Sequence, residues 1–271
     1  MATAISAKDV MALRAATGLG MMDCKEALNA TNGDMEAAEE YLRKKLKGKM
    51  ETRTDRAAGE GRIAVTVSDK GAAIAEMRAE TDFTAKNESF LNAVHEIATL
   101  ALDQPAGMIE PTDEMTKKVD NVRITTGENA SLARVEKLDG GADSRFGVYL
   151  HHDGKTGVIV QAKGDVSDDV LKDIAMHVAA AVPRPQGVTA DEIPDAVKER
   201  ERKFAIEQAM ESGKPQEIAE KIVEGKMRKL FEELALTEQP FVKDPGTKVK
   251  DLLPKGASLV AFRRWQLGES A

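Results

Sequence analysis

The feature that most constrains this chain is a plan it states twice. From Arg62 the apolar residues alternate, with Ile63, Val65 and Val67 on one side of a strand and Ala64, Thr66 and Ser68 on the other. Asp69-Lys70-Gly71 turns the chain, and Ala73 to Met77 returns as a second strand. Phe90, Val94 and Ile97 then line one face of a helix. Further on, Phe146, Val148 and Leu150 take the roles of Ile63, Val65 and Val67, and Val158 to Ala162 take those of Ala73 to Met77. The second turn, His151-His152-Asp153-Gly154-Lys155-Thr156, is two residues longer. The second helix carries Val170, Ile174, His177, Val178 and Ala181 until Pro183 stops it. Two hairpin-plus-helix halves predict a duplicated α+β core of two antiparallel sheets with packed helices.

Around this core the pattern changes period. Before it, three short helices are expected: one capped by Ser6 with Val10 and Leu13 inward, one from Met21 to Ala30, and one after the turn Thr31-Asn32-Gly33-Asp34 with Ala38, Tyr41, Leu42 and Leu46. Between the halves, Thr112 to Thr126 reads as a helix and Leu132 to Leu138 as a strand whose partner the pattern leaves open. Beyond Pro185 the chain is densely charged and helix-favouring, broken once by Ser212-Gly213-Lys214-Pro215. Gly suits the end of one helix and Pro the start of the next, so this is a helical hairpin. Its thin apolar seams, Ile193, Val197 and Phe204 against Ile218, Ile222, Leu230 and Leu234, predict a projecting antiparallel coiled coil. Leu252 and Leu253 fit a short helix or turn, and Leu259 to Leu267 a closing strand. The expected divisions are 1–47 for the helical module, 48–61 for a linker, 62–139 and 140–187 for the core halves, 188–240 for the inserted hairpin and 241–271 for the return to the second half.

Several function classes are disfavoured. With 46 acidic against 39 basic residues and a pI near 5.4, no field draws in a phosphate backbone, so direct nucleic-acid binding is not expected. Cys24 is the only cysteine, which rules out an internal disulfide and a cysteine-built zinc site and fits a reducing compartment. Neither a secretory leader nor a run long enough to span a bilayer is visible, so a soluble, cytoplasmic protein is expected. The chain holds no phosphate-binding glycine loop, no dinucleotide fingerprint and no nucleophile elbow. No catalytic residue, metal site or cofactor is therefore assigned. His151 and His152 diverge in a turn; His177, on an apolar face, reads either as a core histidine or as part of an interface.

One motif separates the two halves. After the first hairpin comes Glu80-Thr81-Asp82-Phe83-Thr84-Ala85-Lys86, whereas the second hairpin leads into Lys163-Gly164-Asp165 with no Thr-Asp-Phe. What the copies share is explained by their common architecture, so the unshared motif is the better functional candidate. Asp82 and Phe83 are adjacent at a strand-to-helix junction and cannot both face the core.

Three further runs carry a resemblance: Leu13-Arg14 with Thr17-Gly18 and Gly20-Met21-Met22-Asp23-Cys24-Lys25-Glu26-Ala27-Leu28, Glu76-Met77 with Glu80-Thr81-Asp82-Phe83, and Ser212-Gly213-Lys214-Pro215 with Glu217-Ile218-Ala219-Glu220-Lys221. Together with Ile174-Ala175-Met176-His177-Val178 and Gln239-Pro240-Phe241-Val242, they make the chain resemble translation elongation factor Ts along nearly its whole length. Arg78-Ala79 and Thr84 stand where that family commonly has Asn-Cys and Val. The resemblance implies a ubiquitin-associated (UBA-like) type of N-terminal module and a guanine-nucleotide exchange factor for the GTPase elongation factor Tu. It implies that Thr81, Asp82 and Phe83 promote GDP release near the partner's magnesium and phosphate site, with Lys25, Gly127, His177 and Val242 as further contacts. Contacts made by the extra C-terminal helix of some members are expected to be missing, and the hairpin is a candidate for homodimer contacts. The rival reading is a non-catalytic scaffold that binds through its helical module.

Overall fold

The computed structural model describes residues 5–51, 56–211, 213 and 216–269, with the backbone alone for 47–51. It divides into two compact units, the first made of Met1–Ala64, Ala73–Lys137 and Leu267–Ala271, the second of Val65–Ala72 and Leu138–Gln266.

The first unit opens with α1 (Ala7–Thr17), α2 (Met21–Ala30) and α3 (Met35–Glu51). Ser6 and Asp9 cap α1 reciprocally: the Asp9 N–H donates to the Ser6 hydroxyl at 3.2 Å and the Ser6 N–H to the Asp9 carboxylate at 3.0 Å. Val10, Leu13, Cys24, Ala27, Leu28, Ala38 and Leu42 close into a cluster of their own. The third helix runs past Gly48 to Glu51, several residues into the stretch expected to be a linker. A single glycine costs a helix only about 1 kcal/mol, and the lysines, Met50 and Glu51 around it favour helix. Thr52 to Asp55 lie outside the described residues.

The strands β1 (Glu60–Ser68) and β2 (Gly71–Ala79) form the first hairpin, and the short α4 (Asp82–Ala85) leads into α5 (Glu88–Ala101). A two-strand-residue β3 (Gly107–Met108), α6 (Asp113–Thr126) and β4 (Ala130–Asp139) follow. The sheet order is β1-β2-β4-β3. Met77 and Val135 from the sheet meet Phe90, Val94 and Ile97 of α5 and Met115, Val119 and Val122 of α6 in one buried core. From its other side, Ile124 of α6 joins the cluster of the three N-terminal helices, and Arg43 of α3 donates to Asn121 of α6 at 3.2 Å.

In the second unit β5 (Ser144–Leu150) pairs antiparallel with β6 (Thr156–Lys163), which pairs antiparallel with the closing strand. Between them come α7 (Asp168–Ala180), the hairpin of α8 (Asp195–Glu211) and α9 (Gln216–Leu234), the small β7 (Pro240–Phe241) and β8 (Asp244–Lys248), and then β9 (Ser258–Gln266). A single 3₁₀ turn, Val249–Leu252, fills the place read as a short helix or turn. Val158, Val160, Leu171, Ile174, Val178, Phe241 and Leu259 form the core. Gly147 is what lets β5 lie so close to α7: a Cβ there would stand 2.5 Å from the Leu171 backbone carbonyl.

Both halves gain a third strand beside the second one of the hairpin, β4 beside β2 and β9 beside β6. This supplies the partner that the pattern left open. The molecule is thus a mixed helix and antiparallel-sheet fold of the α+β type, with α8 and α9 packed on each other. Ser212, Lys214 and Pro215 of the turn between them lie outside the described residues. Among the described residues no helix is long and apolar enough to cross a membrane.

Candidate functional site

The unshared motif begins where β2 ends. Thr81 takes an extended conformation and caps α4, accepting from the Thr84 N–H at 3.3 Å. Thr84 and Ala85 turn inward and are buried, so Phe83, on the opposite side of a one-turn helix, is driven out and stands 82% exposed. Of all large apolar side chains in the first unit it is the most exposed among the described residues. A phenyl ring left in water forgoes about 2 kcal/mol of burial, which makes an outward ring on ordered backbone an informative observation. Beside it the Asp82 carboxylate lies 2.6 Å from the Lys86 ammonium, whose hydrogen bond holds that carboxyl below its usual range.

This turn is fastened to the end of α6. Gly127 closes α6 in the left-handed conformation at φ 71, where other residues are strained, and the chain reverses so that Glu128 and Asn129 arrive beside Glu80 and Thr81. The Thr81 hydroxyl donates to the Glu128 carboxylate, at 3.0 and 2.9 Å from its two oxygens. The Glu80 N–H donates to the Asn129 carbonyl at 3.2 Å, and the Asn129 N–H to the Glu80 carboxylate at 2.7 Å. Sequence reasoning singled out Gly127 but gave Glu80, Glu128 and Asn129 no role. A polar pair, Glu128-Asn129, directly following a glycine helix stop was the available signal.

Upstream on β2, Glu76 is completely buried, and each of its oxygens has two donors. One accepts from Arg78 Nε at 2.9 Å and from the Gly268 N–H at 3.1 Å; the other faces Arg134 Nε and Nη2, both at 2.8 Å. Arg78 therefore serves as a partner for a buried charge.

His177 and Val242 meet in the second unit. The His177 ring is only 2% exposed: Nδ1 accepts from the Val242 N–H at 3.1 Å, which leaves the proton on Nε2 to donate to Gln239 Oε1 at 2.9 Å. Burial pushes its pKa below the ordinary imidazole value, against the opposing hydrogen bond to Gln239. The Gln239 amide in turn donates to the carbonyls of Pro183 and Glu233. His177 is thus a satisfied interior histidine that holds the backbone of a half-exposed Val242. Val242 lines a groove with Tyr149, His151, Met176, Ala179 and Lys243. In the first unit Lys25 is exposed on α2, on the same helix as the exposed Met21 and Met22. Among the described residues no group of three or more His, Cys, Asp and Glu side chains could hold a metal ion.

Fold and junction together define an α+β protein that mounts an aromatic side chain outward on a fixed turn, bolted to a neighbouring helix end. Comparison with known proteins narrows this class: the family model described as Elongation factor TS matches residues 80–269. An Elongation factor Ts from Hydrogenovibrio crunogenus (strain DSM 25203 / XCL-2) is 43% identical over 279 aligned positions, covering 98% of this chain and 92% of that protein. The chain belongs to the elongation factor Ts family and is a factor of translation elongation in protein biosynthesis.

Proposed function

We propose that the protein is a guanine-nucleotide exchange factor for elongation factor Tu, and that Thr81, Asp82 and Phe83 carry out the release of GDP. The observation that carries this reading is the exposed Phe83 ring beside an ionised Asp82, on a turn that lies within the residues matched by the family model. A GTPase holds GDP through a phosphate loop and a magnesium ion. Phe83 inserts between helices of the partner and displaces the elements that carry those groups, while Asp82 anchors the ring by a polar contact near the metal's ligands. The Asp82–Lys86 pair is exposed and therefore weak, so exchanging Lys86 for a partner group costs little. By linkage, a factor that weakens nucleotide binding is itself released when nucleotide returns, and so acts repeatedly without making or breaking a covalent bond.

Four more residues take part in binding the partner, two in each unit. Lys25 on the N-terminal helices, which we take as a UBA-like docking module, and the backbone at Gly127 make contacts around the wedge. In the second unit Val242 makes the contact and His177 holds it in position from beneath, which is a different division of labour from two direct contacts. The hairpin of α8 and α9 is a short antiparallel coiled coil that offers a surface to a second copy; Phe204, Ile206, Met210 and Ile218 on it are exposed. No cofactor is required, and the acidic balance disfavours nucleic acid as a direct partner.

The test is stopped-flow release of labelled GDP from elongation factor Tu. Truncating an aromatic anchor typically costs about 2 kcal/mol, so Phe83→Ala is expected to slow release at saturating factor about thirtyfold while far-ultraviolet dichroism stays the same. Release as fast as with the parent protein would sink the proposal.

A further inference from the structure

A four-residue helix has no stability of its own, because one turn fixes several residues for a single hydrogen bond. The Phe83 ring is not aimed by packing either, since it is 82% exposed. Its direction must come from the groups that hold the two ends of α4. One end is held by the buried Thr84 and Ala85. At the other, everything passes through Thr81, whose hydroxyl has one proton to give. That proton points at Glu128, 2.9 Å from Oε2, so the lone pairs of the hydroxyl are left facing the Thr84 N–H that caps the helix. Glu128 thus orients the cap without touching α4. Glu80 completes the mount: it exchanges two hydrogen bonds with Asn129 and pairs with Arg56 at 3.3 Å, while the Asn129 amide holds the Arg56 carbonyl at 2.8 Å.

We infer that Glu128 is a positioning residue for nucleotide release: acting through the Thr81 hydroxyl, it holds the Phe83 turn in a preformed orientation against the end of α6. The inference rests on the exchange-factor reading above and goes beyond it by placing part of the exchange machinery on a residue that does not meet the partner. It also gives α6 two tasks in one unit. Its side carries Ile124 and Asn121 against the N-terminal helices, and its end carries the mount for the ring. A rigid element that joins a docking module to a wedge lets the binding energy of the first be used to seat the second.

The experiment measures labelled GDP release from elongation factor Tu over a range of factor concentrations, for the full-length protein and five variants. Glu128→Ala is expected to lower the saturating rate about tenfold, as expected for losing one charge-assisted hydrogen bond, with the half-saturating concentration changed less than about twofold. Glu128→Gln, whose amide oxygen still accepts from Thr81, restores most of the rate. In the Phe83→Ala background, Glu128→Ala brings no further slowing, because Glu128 acts only through that ring. Thr81→Val, which keeps the side-chain shape and removes the shared hydroxyl, repeats the Glu128→Ala result and stands in for it if that variant does not fold. An unchanged rate in Glu128→Ala, an additive loss in the double variant, or a loss in Glu128→Gln equal to that of Ala would each overturn the inference. If Phe83→Ala itself releases GDP at the parental rate, the exchange reading fails instead; a slow Phe83→Ala beside a fast Glu128→Ala leaves that reading standing and rejects only the positioning role.

Discussion

Replacing Glu76 by glutamine tests how the strand that leads into the Phe83 turn is held. The substitution keeps the volume, so no cavity forms, and the whole effect is electrostatic. In the parent, both carboxylate oxygens accept: Arg78 and the Gly268 N–H on one side, Arg134 twice on the other. A glutamine presents an amide group to one of these pairs, so two donors meet a donor, and the two guanidinium groups share no full negative charge. Breaking a buried ion pair from one side costs about 3–5 kcal/mol, because the remaining charge stays desolvated. The Arg134 side chain is 9% exposed and cannot regain water in place, whereas Arg78 at 32% can. The lower end of that range, about 3 kcal/mol, is therefore expected, which for a protein of this size lowers the unfolding midpoint by about 6–12 °C. Differential scanning calorimetry at neutral pH reads this directly. A shift under about 2 °C would mean that the four donors contribute little to holding β2.

Three further expectations concern the second unit. His177 has a lowered pKa in the folded protein, so on acidification the unfolded chain takes up its proton first. The stability contributed by the neutral ring is complete above about pH 6.5 and is lost as the pH falls below that value toward the folded pKa. The unfolding midpoint should therefore fall between about pH 7.5 and 5.5, above the carboxylate range, and His177→Gln should flatten this dependence; an equal slope in the variant would contradict it. Gly147→Ala would drive a Cβ to 2.5 Å from Leu171 and is expected to cost about 1–3 kcal/mol in urea unfolding, while Gly225→Ala, with nothing within 4 Å in α9, should gain about 0.5–1 kcal/mol.

The parts of this fold that could be read from the chain were those written as local period. The alternation at Ile63, Val65 and Val67, its echo at Phe146, Val148 and Leu150, and the capping pair Ser6 and Asp9 each depend on neighbours a few residues away. The strands at Leu132 to Leu138 and Leu259 to Leu267 could be read as well, but their pairing could not. Nothing near Ala130 or Ser258 says which of two exposed strand edges each will cover, because the choice depends on contacts across the chain. α3 continues through Gly48 into the first residues of the stretch read as a linker, because the residues around that glycine favour helix. At the site, Phe83 was conspicuous because an aromatic beside an aspartate must break the inside–outside pattern. Its supports were not, since Glu80 and Glu128 look like any solvated carboxylates until the αL stop at Gly127 brings them together. His177 was ambiguous for a similar reason: an imidazole on an apolar face is compatible with an interface or with an interior bond, and the partner that decides it, the Val242 N–H, is far away in sequence.

The most direct test of the account is the rate at which labelled GDP leaves elongation factor Tu when the factor is present at saturating concentration, compared between the parent and Phe83→Ala. The exposed ring is predicted to supply the displacement, so release should slow about thirtyfold with the fold and the half-saturating concentration little altered. Equal rates for the two proteins would contradict it, and would move the search for the exchange element away from the Thr81-Asp82-Phe83 turn.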